Sequence, residues 1–407
     1  MDKETMPPGL TFAPIFSDGG VSGKQPTTTM QQHISEYTRI GACAVAEIIS
    51  SATAAGQPFD HLVYTNVVPW APRLAHAHGI KSSLLWLQSA CMLDILYYYF
   101  NGYEGLISSN KHNLKSPINL PGLPPLTIGD LSSFMLPSNP KEHNFVLSEL
   151  KDQIDVLKIT SRILVNTFNE LEIKPIRAIE KLQLLPIGPL IPLEFLDEKD
   201  SPGNSMGCDF FEKPEDDYIQ WLNTKPKSTV VYVAFGSMAT LSMDQLEEIA
   251  TGLLESRRPF LWVIRDSEQA GRLSKLEELK KHGMIVDWCS QVVVLSNQAI
   301  GCYVMHGGWN STVETLVAGV PTVVFPQWSD QPTNAKMMED VWRTGIRVRR
   351  REEDGVVVGK EIERCVKFVM GDEDIKKNAE KWRKLARQAL GDGGSSTVNL
   401  QAFLNDV

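Results

Sequence analysis

Apolar, β-rich runs alternate along this chain with segments whose apolar residues recur at helical spacing, the pattern of a doubly wound α/β fold with parallel sheets. Leu62 to Val68, Ser82 to Trp86 and Arg162 to Val165 read as strands of an N-terminal unit. Val230 to Phe235, Phe260 to Arg265, Met284 to Val286, Ile300 to Met305 and Val320 to Phe325 read as strands of a second unit. Between them the stretch from Pro189 to Cys208, rich in Pro, Gly, Asp and Ser, reads as a linker. The expected division is a domain over 1–190, a linker at 191–210, a domain over 211–390 and a tail at 391–407. A helix over roughly Ile375 to Leu390 precedes the glycine- and serine-rich start of that tail, whose end reads as a short helix. At 407 residues the chain is too long for one core, and it shows no internal repeat.

The strand-turn-helix-strand run from Trp288 to Gln331 carries chemistry. Ile300 to Met305 stops at His306-Gly307-Gly308, where two glycines let the backbone approach a ligand closely and adopt positive φ. A helix is expected to start near Asn310-Ser311. Its free N–H groups and dipole form an anion site, to which the His306, Asn310 and Ser311 side chains add donors suited to a diphosphate. Gly319 ends that helix, and Val320 to Phe325 reads as the next buried parallel strand. Taken alone, Ser311-Thr312-Val313-Glu314 fits a capping box equally well, with Glu314 reaching back to the helix start. The company argues for a ligand. Trp288 can stack on a base and Glu314 can accept from ribose hydroxyls. Trp328-Ser329-Asp330-Gln331 places a carboxylate and an amide just after a strand's carboxyl end, where open α/β sheets hold ligands.

Charge and cysteine content narrow the class further. With 49 acidic against 40 basic side chains the net charge is −9, and no basic tract marks a nucleic-acid footprint. Cys43, Cys91, Cys208, Cys289, Cys302 and Cys365 are scattered, with no C-x-x-C spacing, as suits a reducing cytosol. The longest apolar stretch, Leu84 to Phe100, is interrupted by Gln88, Ser89 and Asp94 and is too short and polar to span a bilayer. Core packing is expected of Tyr97 to Phe100. Asp372-Glu373-Asp374 has the D-x-D form of a metal site but opens a basic helix, so a solvated first turn is expected.

The run from Trp288 through His306, Trp309-Asn310-Ser311 and Glu314 to Asp330-Gln331 resembles the donor-binding box of the plant family-one UDP-glycosyltransferases. That family has the GT-B fold, two Rossmann-like domains facing a cleft. The resemblance implies that Trp288, with Cys289 beside it, meets the uracil. Gln291 and Glu314 would hold the ribose, and His306, Asn310 and Ser311 the pyrophosphate. Trp309, Asp330 and Gln331 would hold the sugar, with Gln331 favouring glucose, and Ser237 in VVYVAFGSMAT resembles a further phosphate contact. Gly307 stands where the family usually has Cys, and Asn297 where it usually has His; weakened packing and a looser turn are expected from these.

LVYTNVVPW, YYYFNGY, LPGLPPL, ILVNTF, IGPLIP and RPFLWVIR extend the resemblance to a branch that includes anthocyanin 5-O-glucosyltransferases and glucosyltransferases for crocetin, abscisic acid and auxins. What the resemblance implies is an inverting, UDP-glucose-dependent O-glucosyltransferase of plant secondary metabolism. It would be cytoplasmic and monomeric, with UDP-glucose as co-substrate and no other cofactor or metal. The acceptor stays open between a flavonoid or anthocyanin hydroxyl and a carboxylic acid.

The family's general base is a His in a Gly-His-x-Asn-Pro loop after the first strand. Here the opening residues resemble the third strand region, so the N-terminal domain is expected to be incomplete, through a truncated gene model or transcript. None of His33, His61, His76, His78, His112, His143 and His282 lies in such a motif, and surface or core roles are expected for them. No catalytic residue is identified, and Thr65 occupies the position of the family's usual Asp. A positioned base is worth ~100- to 10,000-fold in rate. A carboxylic acid with pKa near ~4 is already ionised at neutral pH, so ester formation is the easier reaction. Two rivals remain: a catalytically impaired UDP-sugar-binding remnant that regulates a full-length relative, and a nicotinamide-dependent dehydrogenase. The second lacks a G-x-G-x-x-G after an early strand.

Overall fold

The computed structural model describes residues 9–13, 15, 30–110, 113, 115–136, 144–160, 162–192, 216–237 and 239–407. Most of the expected linker, Cys208, His112, His143 and the His33 side chain lie outside the described residues. The chain divides into two compact units, one of residues 1–85 and 145–163 with Val407, the other of 86–144 and 164–406.

Ten strands occur among the described residues: β1 His61–Thr65, β2 Lys81–Trp86, β3 Arg162–Val165, β4 Leu184–Pro186, β5 Val230–Ala234, β6 Phe260–Val263, β7 Gly283–Val286, β8 Ile300–Met305, β9 Thr322–Val324 and β10 Gly345–Arg347. They form a four-stranded sheet in the order β1-β2-β3-β4 and a six-stranded sheet in the order β10-β9-β8-β5-β6-β7. Every pair in the six-stranded sheet is parallel. Counted from β5, its order is 3-2-1-4-5-6, that of dinucleotide-binding sheets, with its switch point between β5 and β8. The eight expected strands are present with ends shifted by a few residues at most. β4 and β10, three residues each, are too short to show periodicity.

Burial on both faces explains the continuous apolar runs of the central strands. Val231, Val233, Phe260, Trp262, Cys302, Val304 and Val323 form one core with Ile249 and Leu253 of the helix Met243–Ser256 and with Ile362, Val366 and Val369 of the helix Gly359–Gly371. Those helices approach closely because glycines face each other: a Cβ on Gly252 would lie 2.6 Å from the Gly359 carbonyl oxygen. Asp372 caps the start of the helix Glu373–Leu390, accepting from Asp374 and Ile375 N–H at 2.9 Å each, so the triplet opens a helix as expected. In the tail helix Ser395–Leu404, Ser396 Oγ donates to the Gly188 carbonyl at 2.5 Å and Asn399 Nδ2 to the Pro186 carbonyl at 2.8 Å. The tail thus returns to the segment at the end of β4.

Tyr98 is buried and donates to the Ala178 carbonyl at 2.9 Å, which makes it a core residue; Tyr97, Tyr99 and Phe100 are half-buried. Among the described residues no helix is long and apolar enough to cross a membrane. The described cysteines are unbonded thiols.

Candidate functional site

The residues singled out from the sequence follow the carboxyl ends of four strands of the six-stranded sheet. Ser237 comes after β5, Trp288 to Gln291 after β7, His306 to Ser311 after β8, and Trp328 to Gln331 after β9. Since parallel strands share a direction, these four connections emerge at one edge of the sheet, around its switch point.

At the centre stands His306. It follows the last residue of β8 directly and leads into the helix Trp309–Ala318, whose N-cap is Gly308. The first intrahelical bond runs from Thr312 N–H to the Gly308 carbonyl at 2.9 Å, so the N–H groups of Trp309, Asn310 and Ser311 precede it and are open to an anion. Gly319, at φ 70°, ends the helix in the left-handed conformation. The His306 ring is wedged between glycines: a Cβ on Gly308 would lie 2.5 Å from its Nε2, and one on Gly236 2.8 Å from the same atom. Burial pushes the His306 pKa down to about 4, so the imidazole is neutral at pH 7. Its Nδ1 is buried without a hydrogen-bond partner.

Gly308 has φ −64° and ψ 148°, which alanine adopts without strain, so Gly308→Ala isolates the contact with the ring. That variant is expected to displace the imidazole and weaken UDP binding about tenfold, ~1.4 kcal/mol, while leaving the melting temperature of the free protein nearly unchanged. Calorimetric titration with UDP measures it; equal affinity in the two proteins would show that the ring position is irrelevant to binding.

Gly307, at φ 87°, occupies a conformation that L side chains rarely adopt. Its carbonyl accepts from Asn334 Nδ2 at 2.9 Å. The turn expected to be loose is therefore anchored, and glycine suits it. Asn297 is also integrated, bonding Asn223 at 2.8 Å and capping the Ala299 N–H at 2.9 Å.

The capping-box reading of Ser311 to Glu314 does not hold. Gly308 is the N-cap, no side chain caps the helix, and Ser311 already lies within its first turn. Ser311 Oγ accepts from Gln291 Nε2 at 2.8 Å, and Glu314 Oε2 accepts from the same nitrogen. Gln291, Ser311 and Glu314 thus meet through one amide. Trp288, half-buried, sits on the segment leading into Gln291. That segment is pinned by Ser290 N–H donating to Tyr218 Oη at 3.1 Å and by Tyr232 Oη 3.5 Å from the buried Cys289 Sγ.

The loop after β9 is shaped by Gln331, whose Oε1 accepts from the backbone N–H of Gln327 at 2.7 Å and of Trp328 at 3.1 Å. Its carbonyl oxygen is engaged, so its amino group is what it can offer a ligand. Asp330 is buried, accepts from Asn334 Nδ2 at 2.8 Å, and has its pKa raised by burial. Ser329, at φ 61°, is held by Ser133: its N–H donates to Ser133 Oγ at 2.7 Å and its carbonyl accepts from Ser133 N–H at 3.1 Å. Phe134 meets Trp328 edge to face at 5.8 Å.

Two residues present different atoms from those their side chains suggest. The Trp309 indole is buried and donates to the Asn166 carbonyl at 2.7 Å, which leaves its backbone N–H for a ligand. Ser237 is exposed after Gly236 at φ 74°, and its carbonyl accepts from Arg265. Asn310 is exposed at the helix start. Thr65 ends β1, and His61 of that strand bonds Ser83 Oγ at 2.9 Å; His76, His78 and His282 are exposed. Sequence reading missed Tyr303, Asn334, Arg265 and Ser133, because their roles come from partners distant in the chain: Tyr303 reaches Gln291, Asn334 the Gly307 carbonyl, Arg265 the Ser237 carbonyl and Ser133 the backbone of Ser329.

The sequence model of UDP-glucoronosyl and UDP-glucosyl transferase matches residues 206–388. UDP-glycosyltransferase 75C1 of Solanum lycopersicum is 50% identical, covering 99% of this chain and 88% of the relative. Crocetin glucosyltransferase, chloroplastic, of Gardenia jasminoides is 47% identical, covering 98% of this chain and 87% of the relative. The crystal structure of Os79 from O. sativa in complex with UDP superposes with a TM-score of 0.81 at 31% identity, over 99% of this chain and 92% of that one. The chain belongs to the plant UDP-glucosyl transferase family and has its GT-B fold.

Proposed function

We propose that this chain transfers glucose from UDP-glucose to a small plant metabolite, inverting the anomeric carbon and using neither a metal nor another cofactor. The observation that carries the reading is the gathering of donors after β5, β8 and β9 around an open helix N-terminus at the sheet's switch point. In this reading Trp288, with Cys289 beside it, holds the uracil; Gln291 and Glu314 serve the ribose. Asp330, the Gln331 amino group and the Trp309 N–H bind the sugar. The acceptor oxygen attacks the anomeric carbon as the bond to the diphosphate breaks. UDP leaves toward the helix N-terminus, His306, Asn310, Ser311 and Ser237, which stabilise the growing charge by hydrogen bonds from a preorganised site.

The proposal includes the division into 1–190, 191–210, 211–390 and 391–407, with the donor in the third segment and a monomer acting in the cytosol. Carboxylic acids are its favoured acceptors. An ionised carboxylate attacks without a general base, whereas a phenol must first give up its proton. The similarity to a relative named for crocetin, a dicarboxylic acid, agrees with this.

UDP release from UDP-glucose, with crocetin and an anthocyanidin 3-glucoside offered in parallel, tests the reading. Turnover of the acid, with the phenol slower by ~100-fold or more, is expected. Turnover of neither, without a rise in melting temperature on adding UDP, would remove it.

A further inference from the structure

Tyr232 of β5 and Tyr303 of β8 are direct partners in the register of the two strands that flank the switch point. Their neighbours Val231, Val233, Cys302 and Val304 point into the core shared with the helices Met243–Ser256 and Gly359–Gly371, so the two tyrosines lie on the opposite face. There their rings stack at 4.5 Å with 27° between planes. Both are essentially inaccessible to solvent. Tyr303 Oη donates to Gln291 Oε1 at 2.6 Å, and Tyr232 Oη reaches the same oxygen at 3.4 Å. On its other side Gln291 Nε2 donates to Ser311 Oγ at 2.8 Å and to Glu314 Oε2.

We propose that Tyr303 is a positioning residue for nucleotide recognition, its hydroxyl fixing the Gln291 amide and, through it, the Ser311 hydroxyl and the Glu314 carboxylate. The inference rests on the reading of this site as the nucleotide-donor site and adds what holds that site in shape. An amide has two orientations, and the protein must select one. Turned over, Gln291 would set its carbonyl oxygen against the Glu314 carboxylate, two acceptors facing each other with no proton between them. The Tyr303 hydroxyl, at the shorter distance, gives the carbonyl its partner on the far side. Burial raises the pKa of both phenols, so they stay protonated donors over the working pH range. With its oxygen bonded to Tyr303 and its nitrogen to Ser311 and Glu314, Gln291 serves as a relay.

Tyr303→Phe keeps the ring, the stack and the strand register and removes one oxygen. The experiment titrates UDP and 2′-deoxy-UDP into the wild type, Tyr303→Phe, Gln291→Leu and the double variant. The wild type is expected to prefer UDP, and Tyr303→Phe to lose about 3- to 10-fold of that preference. Gln291→Leu is expected to lose at least as much, with the double variant no worse than Gln291→Leu alone, because residues acting through one another are not additive. An unchanged preference for the ribose hydroxyl in Tyr303→Phe, or losses that add in the double variant, would overturn the positioning role while leaving the donor site standing. A wild type that binds no UDP would overturn both. If Tyr303→Phe does not fold, Gln291→Leu decides: an undiminished preference there removes the relay.

Discussion

Asp130→Ala is expected to destabilise the fold by about 3 kcal/mol, the range for breaking a buried ion pair and leaving its partner uncompensated. Asp130 is 3% exposed and holds several groups at once. Its Oδ2 accepts from the N–H and the hydroxyl of Thr127, both at 2.8 Å, closing a capping box on its own short turn. Its Oδ1 receives Arg347 Nη2 at 2.8 Å, and Lys336 Nζ stands 3.9 Å from Oδ2. The Asp130 carbonyl accepts from Thr333 Oγ1 at 2.7 Å. The turn around Asp130 is thus fastened to the helix Gln331–Lys336 and to β10. Arg347 keeps Glu339 at 3.6 Å and Lys336 keeps Asp340 at 2.6 Å, which places the expected cost at the lower end of the range. Because the helix begins at Gln331, UDP-glucose binding by the folded fraction is expected to weaken as well. Urea unfolding and a UDP-glucose titration of the same preparation measure the two effects. Adding Arg347→Met to Asp130→Ala is expected to recover part of the stability, since an apolar side chain needs no buried counter-charge. A double variant less stable than the single one would show that the pair is not the source of the loss.

Asp94→Asn is expected to stabilise the protein, and the gain is expected to grow with pH. Asp94 lies in the helix Ala90–Tyr98, is 0% exposed, and neither carboxyl oxygen has a hydrogen-bond partner. Burial first, then the charge of the nearby Glu172, pushes its pKa up to about 9. Glu172 is buried too, but it accepts from the Ala90 and Cys91 N–H groups at 2.9 Å each, where the helix N-terminus favours a negative charge. The folded state therefore keeps Asp94 protonated from its ordinary pKa up to about 9, while the unfolded chain ionises it. Below the ordinary value the group is neutral in both states and costs nothing through titration. As pH rises toward 9 the unfolded state gains, and stability falls. Asparagine does not titrate, so its advantage over aspartate should widen by about 4 kcal/mol between pH 5 and pH 8. Urea midpoints of both proteins at the two pH values provide the check. A gain that stays constant with pH would mean that Asp94 is ionised in the fold and paired in some other way.

Much of the fold is legible in the residues themselves. Ile300 to Met305 is a strand with the bounds expected, and the helix after it starts within a residue of the expected place and stops at Gly319. Those features arise from side chains adjacent in the chain: β-branched runs, glycines that reach positive φ, and free N–H groups at a helix start. The Ser311 to Glu314 box fits the same local rules and still fails, because Gln291, twenty residues earlier, takes both side chains. Asp130 offered no local sign of its role, since Thr333 lies 203 positions away. Tyr303 reads in sequence as one more apolar strand residue; the parallel register with Tyr232 gives its hydroxyl a task.

The sequence by itself determined the alternation of strands and helices and the donor-type chemistry of the run from Trp288 to Gln331. Periodicity, turn residues and a helix start all act over a few neighbouring positions. Only the tertiary structure decided which atom each residue presents: the Trp309 indole to Asn166, leaving its backbone N–H, and the Gln331 carbonyl to its own loop, leaving its amino group. Those choices depend on hydrogen-bond partners brought close by packing. A buried polar atom must find such a partner, and which one is within reach is a property of the folded chain.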